Sequence, residues 1–154
     1  MRKSDREITD FESIVKLIES CDTLRLGFSD EGVPYIVPLS FGFEAKDGEL
    51  LFYVHGAKTG RRHELAAKNS RVCVEADICK GFVDLGHGSI TADYASFIGE
   101  GEISTVTGDE AKHGLTLLVK HCGFDELGCN DAVIAATEVE KIVVRDFTAK
   151  RRFS

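Results

Sequence analysis

The 154-residue sequence has no apolar run that approaches the length of a membrane-spanning helix, which needs about 20 residues. Its charged N-terminus also lacks the basic-then-apolar pattern of a secretory signal peptide. Positive charge is scarce too, because 19 Lys and Arg stand against 26 Asp and Glu, a formal net charge of −7. That balance argues against a large binding surface for nucleic acid or an anionic membrane. We expect a cytoplasmic protein that binds neither, and whose basic clusters serve small anions.

The cysteines lack the arrangement of a disulfide framework. There are five of them, an odd number, and no two form a Cys-x-x-Cys pair, so reduced thiols are expected. His121, Cys122 and Cys129 could in principle bind a metal. However, the adjacent His-Cys and the gap before the second cysteine do not match usual structural zinc spacing, and no metal site is predicted.

Several familiar catalytic motifs are missing as well. No Gly-Lys-Ser/Thr is present, and the glycines are not spaced as in a dinucleotide-binding fingerprint. The chain has neither a nucleophile elbow nor a His-Glu-x-x-His sequence. The motifs therefore give no support to a P-loop nucleotide-binding protein or a hydrolase.

Proline occurs only twice, and both residues lie in one predicted strand that begins at Val33. Since proline cannot donate to a strand ladder, Pro34 and Pro38 require that strand to be an edge, to be bulged, or to face a ligand. Asp47-Gly48 then predicts a tight turn into a second strand.

The second strand runs into a short loop that carries cations and opens a helix predicted over residues 63–68. Cations at a helix N-terminus oppose the macrodipole, so Lys58, Arg61 and Arg62 need another reason to be there. A phosphate is such a reason, because it needs convergent N–H groups and cations, and Gly60 lets the backbone approach it closely. We predict a phosphate-binding loop in which at least one of the two arginines contacts the anion.

Hydrophobic periodicity predicts one mainly-β domain over residues 1–154 with flanking helices, in which the strand order favours a closed antiparallel barrel. Capping boxes at residues 9–12 and 107–110 predict two helix starts. Further strands are predicted over residues 71–77, 90–106 and 136–147, with a flexible connection over residues 80–89.

The motifs between Pro34 and Leu65 resemble the flavin-binding half of the nitroimidazole-resistance flavoproteins. Those proteins belong to the pyridoxamine 5'-phosphate oxidase-like group of FMN-binding split barrels. The matching segments are Pro34-Tyr-Ile-Val-Pro-Leu-Ser40, Asp47-Gly48, Phe52-Tyr-Val-His-Gly-Ala57, Gly60-Arg-Arg62 and Leu65. Tyr94-Ala-Ser-Phe-Ile-Gly-Glu-Gly101 and Thr148-Ala-Lys-Arg-Arg152 extend the likeness over nearly the whole chain. The resemblance implies an antiparallel, Greek-key split β-barrel.

The resemblance also implies a cofactor, FMN or alternatively FAD, and a homodimer with two flavin sites at its interface. The ring would lie on the strand that holds Val37, Pro38, Leu39 and Ser40, mostly through backbone groups, and Ser96 would make a polar contact. The phosphate would be held by the loop with Lys58, Gly60, Arg61 and Arg62.

His55 is implied to lie close to the flavin and is the candidate catalytic residue. The alternative role for His55 is structural: a polar residue that ends a strand and forms hydrogen bonds with its own loop. A bound flavin carries electron transfer itself, so a redox protein of this kind needs none of the missing catalytic motifs.

The reaction implied is the reduction of a small electron-poor acceptor such as a nitroaromatic, with NAD(P)H or another donor. Pyridoxal-phosphate biosynthesis fits less well, because the fuller set of C-terminal phosphate-binding arginines is not found. A non-catalytic module that stores, senses or presents flavin remains the alternative from a different class.

Overall fold

A computed structural model describes residues 3–128 and 130–153. Cys129, part of the metal alternative weighed above, lies outside the described residues. The helices are α1 (Phe11–Glu19), α2 (Arg61–Lys68), α3 (Gly108–His121) and α4 (Asp131–Ala136). The strands are β1 (Glu7–Ile8), β2 (Leu24–Asp30), β3 (Val33–Leu39), β4 (Gly42–Lys46), β5 (Glu49–Gly56), β6 (Arg71–Asp84), β7 (Ile90–Val106) and β8 (Glu138–Arg152).

All of these strands belong to one antiparallel sheet, which confirms the mainly-β prediction. Their spatial order is β3-β2-β6-β7-β8-β5-β4, with β1 also paired to β8. The prediction of a closed barrel is wrong, because the two end strands do not pair and the sheet stays open. Both prolines lie on β3, one of the two end strands, which is a position that proline tolerates.

The chain crosses between the two ends of the open sheet at Ser40 and Phe41, since β3 and β4 are neighbours in sequence but lie at opposite ends of the strand order. Phe41 is fully buried, with its ring centroid 5.8 Å from that of Phe52 and 4.2 Å from that of His121. His121 also donates from Nε2 to the Cys21 carbonyl oxygen, at 2.8 Å. The crossing is therefore fixed by packing on both sides.

The main core lies on the inner face of the sheet, defined here as the face that buries alternate residues of the long strands. In β2 these are Leu24, Leu26 and Phe28, and α1 contributes Ile14 and Ile18 to the same core. The strict alternation is what the period of a strand requires when one of its faces is buried.

Helix α3 packs on the other side of β4 and β5, where two glycines allow close approach. A Cβ at Gly42 would collide with the backbone of Leu118, and one at Gly114 would collide with the Tyr53 ring. The helix thereby covers a second, smaller cluster that includes Val139 of β8.

The Asp47-Gly48 turn is confirmed. Asp47 has φ of 53° and Gly48 φ of 81°, and the flanking pair is Lys46 with Glu49. Positive φ at both central residues is the pattern of a type I′ hairpin turn, which matches the twist of the strands it joins.

Several boundaries differ from the sequence-based expectations. Helix α1 is capped by Asp10, whose Oδ2 accepts from the Ser13 N–H at 2.8 Å, and not by the capping box predicted from Thr9. Thr107 does precede α3, but its side chain makes no capping hydrogen bond. Helix α4 was not predicted, and β8 runs over Glu138–Arg152 rather than over residues 136–147.

The predicted flexible connection over residues 80–89 is the end of β6 and the turn of a two-stranded ribbon. β6 and β7 stay paired as far as Asp84 and Ile90, past a register shift between Cys79 and Gly81. Residues 81–84 pair only with residues 90–93, so the ribbon extends beyond the rest of the sheet. Gly81 lies at the register shift, and Gly86 and Gly88 lie in the turn, all three with positive φ.

Within the part of the chain that the structure describes, no helix is long and apolar enough to cross a membrane.

Candidate functional site

Residues 57–60 form the loop between β5 and α2, at the end of the curled sheet where the predicted phosphate site was placed. Lys58 in the loop and Arg61 and Arg62 in the first turn of α2 contact four other elements, which are β2, β3, β8 and α4.

Arg62 points inward instead of toward solvent. Its Nη2 lies 3.0 Å from Oε2 of Glu140, and the two side chains are only 12% and 2% exposed. A Cβ at Gly56 would overlap the Arg62 guanidinium, so only glycine leaves room for it at the end of β5. The guanidinium thus lies between the last residue of β5 and a carboxylate on β8.

The ion pair leaves buried hydrogen-bonding capacity unused. Nη1 of Arg62 and Oε2 of Glu140 make no aligned hydrogen bond with any described residue. Burial raises the pKa of the Glu140 carboxyl, opposed by the Arg62 charge and reinforced by Glu138. An interior donor without a partner at this loop is unusual and is suited to holding an acceptor.

A second pair lies next to the first. His63 Nδ1 is 2.7 Å from Oε2 of Glu138, and the Thr105 hydroxyl donates to Oε1 of the same carboxylate at 3.3 Å. Glu138 and Glu140 are two residues apart on β8, so both carboxylates point to the inner face. Two consecutive residues of α2 therefore meet two alternate residues of β8.

Arg61 lies on the outside of the loop and is 55% exposed. It donates to Oδ2 of Asp30 from Nε at 3.2 Å and from Nη2 at 2.8 Å. Its guanidinium carbon also lies 4.5 Å from the centroid of the Tyr35 ring. Because a guanidinium has five donors, some remain for a further acceptor.

Lys58 donates from Nζ to the carbonyl oxygen of Ala135 at 2.5 Å, near the C-terminus of α4. That is the favourable end of a helix for a cation. Gly60, with φ of 111°, precedes α2 and offers no side-chain cap. The loop is thus attached to β2 and β3, to β8 and to α4, and each of its three cations already has an internal partner.

His55 stands at the end of β5, on the face opposite Val54, and remains exposed. Partial desolvation of its imidazole lowers its pKa, and the nearby Arg62 charge lowers it further. The ring is therefore neutral at pH 7, able to donate from one nitrogen and accept at the other.

The predicted ring-binding strand, β3, is an edge strand. This is one of the three alternatives that its two prolines allowed, the others being a bulge and a strand that faces a ligand. Val37 and Leu39 pack against the core, whereas Pro38 and Ser40 are exposed. The side chains of Val37 and Leu39 are therefore turned toward the core and not toward a ligand at this edge.

Ser96 lies apart from the loop, half-buried on the outer face of β7 between Asp77 of β6 and Lys150 of β8. Asp77 accepts from Arg25 at 2.6 Å, and Arg25 is the register partner of Pro38. Ser96 and β3 therefore share the outer face but are separated by three strand spacings, about 14 Å.

The outer face contains a groove of about 1090 Å³, with Arg25, Ile36, Cys73, Ile98, Phe147 and Thr148 in its lining. Ile36 and Ile98 are among the most exposed large apolar side chains that the structure describes. A polar network and apolar residues are thus displayed side by side on this face.

Sequence reasoning missed the acidic partners Asp30, Glu138 and Glu140. The last two could have been found, because Glu138, Glu140, Ile142 and Val144 follow one another at the period of a strand. Carboxylates on the buried face of a strand need cations, and Arg62 and His63 are those cations.

Across residues 3–128 and 130–153, no group of three or more His, Cys, Asp or Glu side chains is arranged to hold a metal.

Comparison with protein families gives a match over residues 10–151 to the family described as pyridoxamine 5'-phosphate oxidase. Among curated proteins, none matches the chain significantly.

Solved structures with the same fold include a candidate 5-nitroimidazole antibiotic resistance protein from Bacteroides thetaiotaomicron. It is 26% identical with a TM-score of 0.80, over 94% of this chain and 85% of that one. A FAD-binding protein from Mesorhizobium loti is 21% identical with a TM-score of 0.65, over 96% and 97% of the two chains. A FAD and heme binding protein from Mycobacterium smegmatis is 16% identical with a TM-score of 0.74, over 97% and 74%. The resemblance and the split-barrel fold expected from the sequence are confirmed.

The buried pair predicts an asymmetric effect on stability. Arg62→Gln should lower the free energy of unfolding by about 3–5 kcal/mol, because it leaves the Glu140 carboxylate buried without its cation. Urea denaturation at pH 7 measures the loss. Arg71→Gln, which breaks the highly exposed pair with Glu100, is the matched control and should cost less than about 1 kcal/mol. Similar small losses in both variants would contradict the role assigned to the buried pair.

The lowered pKa of His55 predicts a titration midpoint below the ordinary value of about 6.5. As pH falls through 6.5, the unfolded chain takes up this proton before the folded chain does, so stability falls with falling pH. NMR titration of the imidazole protons gives the midpoint, and the His55→Gln spectrum assigns the resonance. The same variant should lose less stability between pH 7 and pH 5 than the wild type. A midpoint at or above 6.5 would refute the prediction.

Proposed function

Since the chain belongs to the pyridoxamine 5'-phosphate oxidase family, we propose that it binds a flavin, FMN in first place and FAD as the alternative. The observation that carries the proposal is the exposed, only partly paired guanidinium of Arg61, which follows directly on the loop of residues 57–60; the loop and the first turn of α2 are fixed to β2, β3, β8 and α4. The FAD-binding proteins of the same fold support it.

The residues present fit the phosphate end of such a cofactor. Arg61 has donors to spare for the phosphate, and Arg62, held against Gly56 and paired with Glu140, would keep the loop in place. Lys58 and Gly60 would complete the phosphate site. For the ring, we propose the edge strand at Val37, Pro38, Leu39 and Ser40. Ser96, about 14 Å from that strand on the outer face, is too far away to share this contact within one protomer.

When bound, the flavin would supply electron transfer to a small electron-poor acceptor such as a nitroaromatic, with NAD(P)H or another donor as the source of electrons. His55 is the proposed catalytic residue. Because its imidazole is neutral at pH 7, it would act as a hydrogen-bond donor to an acceptor oxygen, and as a proton donor only at lower pH.

We further propose a homodimer in which the outer face of the sheet is the contact. Exposed Val33 and Ile36 on the edge strand β3 and exposed Ile98 on the outer face of β7 support this assembly. Light scattering should then give twice the chain mass of 16.9 kDa. A concentration-independent monomer that retains flavin would rule out a shared site.

A flavin-binding module without turnover is the second candidate, and all of the proposed binding residues would serve it equally. The exposed position of His55 favours the enzyme, because a storage site has no need of an accessible hydrogen-bonding group beside the cofactor.

Flavin binding is tested by comparing FMN with riboflavin, which lacks the phosphate. Arg61→Ala should weaken FMN binding by about 1.5 kcal/mol, the low end for a charge-assisted hydrogen bond because the side chain is exposed, and should change riboflavin binding little. Fluorescence titrations measure both. Arg145→Ala, which removes an exposed arginine paired with Glu49, is the control and should alter neither. Equal losses for the two ligands would place the phosphate elsewhere, and no binding of either by the wild type would reject the flavin.

Turnover separates the enzyme from the module. The flavin-loaded protein should oxidise NADPH steadily when a nitroaromatic is supplied, as followed by NADPH absorbance. His55→Gln should slow this turnover at equal flavin content and change its pH dependence below pH 6.5. Bound flavin that is neither reduced nor reoxidised would favour the module, and an unchanged rate and pH profile in His55→Gln would leave His55 as a site-shaping residue.

A further inference from the structure

The Arg62–Glu140 pair spans the two ends of the loop that carries the proposed cofactor site. Arg62 is in the first turn of α2, where the loop ends, and its guanidinium lies against Gly56, where the loop begins. Glu140 holds that guanidinium from β8, the strand paired with β5. One side chain therefore braces both ends of residues 57–60.

We propose that Glu140 is a positioning residue for the phosphate loop, and this inference rests on the proposed flavin-binding function. By holding Arg62 inside the curled sheet, Glu140 keeps the loop in the shape that presents Arg61 and the backbone N–H groups at the start of α2. Arg62 acts as a brace, and Arg61 makes the phosphate contact.

Burial explains why a charge is needed for this task. A guanidinium that is nearly nine-tenths buried cannot remain there without a counter-charge, because its desolvation would be uncompensated. Glu140 is the carboxylate in contact with Arg62, since Glu138 is engaged by His63 and Thr105. Removal of the Glu140 charge should therefore release Arg62 from the interior and free the loop.

A direct contact between Arg62 and the phosphate would predict the opposite effect on FMN affinity. If Arg62 itself contacts the phosphate, Glu140 competes with the ligand for the same guanidinium. Loss of the Glu140 charge would then strengthen FMN binding instead of weakening it.

Glu140→Gln tests the proposal, because it removes the charge and keeps the size of the side chain. In the ligand-free protein, NMR titration of His55 reports the position of Arg62, whose charge lowers the pKa of that imidazole. We expect the His55 midpoint to rise as Arg62 leaves. We also expect the Kd for FMN to rise about tenfold, the effect of one misaligned charge-assisted hydrogen bond, and the Kd for riboflavin to change less than about threefold.

Glu49→Gln is the matched control, since Glu49 lies at the other end of β5 and pairs with Arg145. It should leave the His55 midpoint and both affinities unchanged. Gly56→Ala serves as a second variant, because its Cβ displaces the guanidinium from the other side. It should reproduce the rise in the His55 midpoint and the selective loss of FMN.

Each other result overturns the proposal. An unchanged His55 midpoint and unchanged FMN affinity would mean that Glu140 does not position Arg62. Tighter FMN binding would identify Arg62 as the phosphate contact. If the wild type binds neither flavin, the proposed function fails. The His55 titration of the ligand-free protein would still decide whether Glu140 holds Arg62.

Discussion

One buried ion pair holds the end of this sheet together. Arg62 and Glu140 connect a short helix to a central strand, and the loop before that helix takes its shape from their contact. Buried pairs of this kind are seldom strongly stabilising, because desolvation offsets much of their attraction, but they are costly to break. Such a pair selects one arrangement of the loop more effectively than it adds to overall stability.

The same end of the sheet shows how an open sheet can still form one site. Helix α2 contacts Asp30 on β2 through Arg61 and reaches β8 through Arg62 and His63. Those strands are separated by β6 and β7 in the sheet order, so the curl of the sheet brings them together under one helix. Lys58 adds α4 to the same arrangement.

The local features of the fold could be predicted because they depend on local chemistry. The Asp47-Gly48 turn follows from the need for positive φ, and the edge position of β3 follows from prolines that cannot donate. The open sheet could not be predicted, because the break between β3 and β4 depends on how Phe41 packs against Phe52 and His121, residues distant in sequence.

In the candidate site, too, some features could be predicted from local sequence and others depend on residues distant in sequence. The cluster of Lys58, Arg61 and Arg62 is visible in the sequence, but which arginine turns inward depends on the carboxylates that the strands bring to it. The alternation of Glu138 and Glu140 with Ile142 and Val144 carried that information, although it becomes readable only once β8 is known to start at Glu138.

The strand order also determines how this chain must fold. Leu50 pairs with Val144 and Leu26 with Val74, so little of the sheet is made of neighbours in sequence apart from its hairpins. Contacts between distant segments stabilise the chain only after long loops have closed, and closing those loops costs conformational entropy. Folding is therefore slow for such topologies. Glu140 can meet Arg62 only after β8 has docked on β5, so both charges stay hydrated until that long-range pairing has formed. The desolvation of each charge thus coincides with the arrival of its partner.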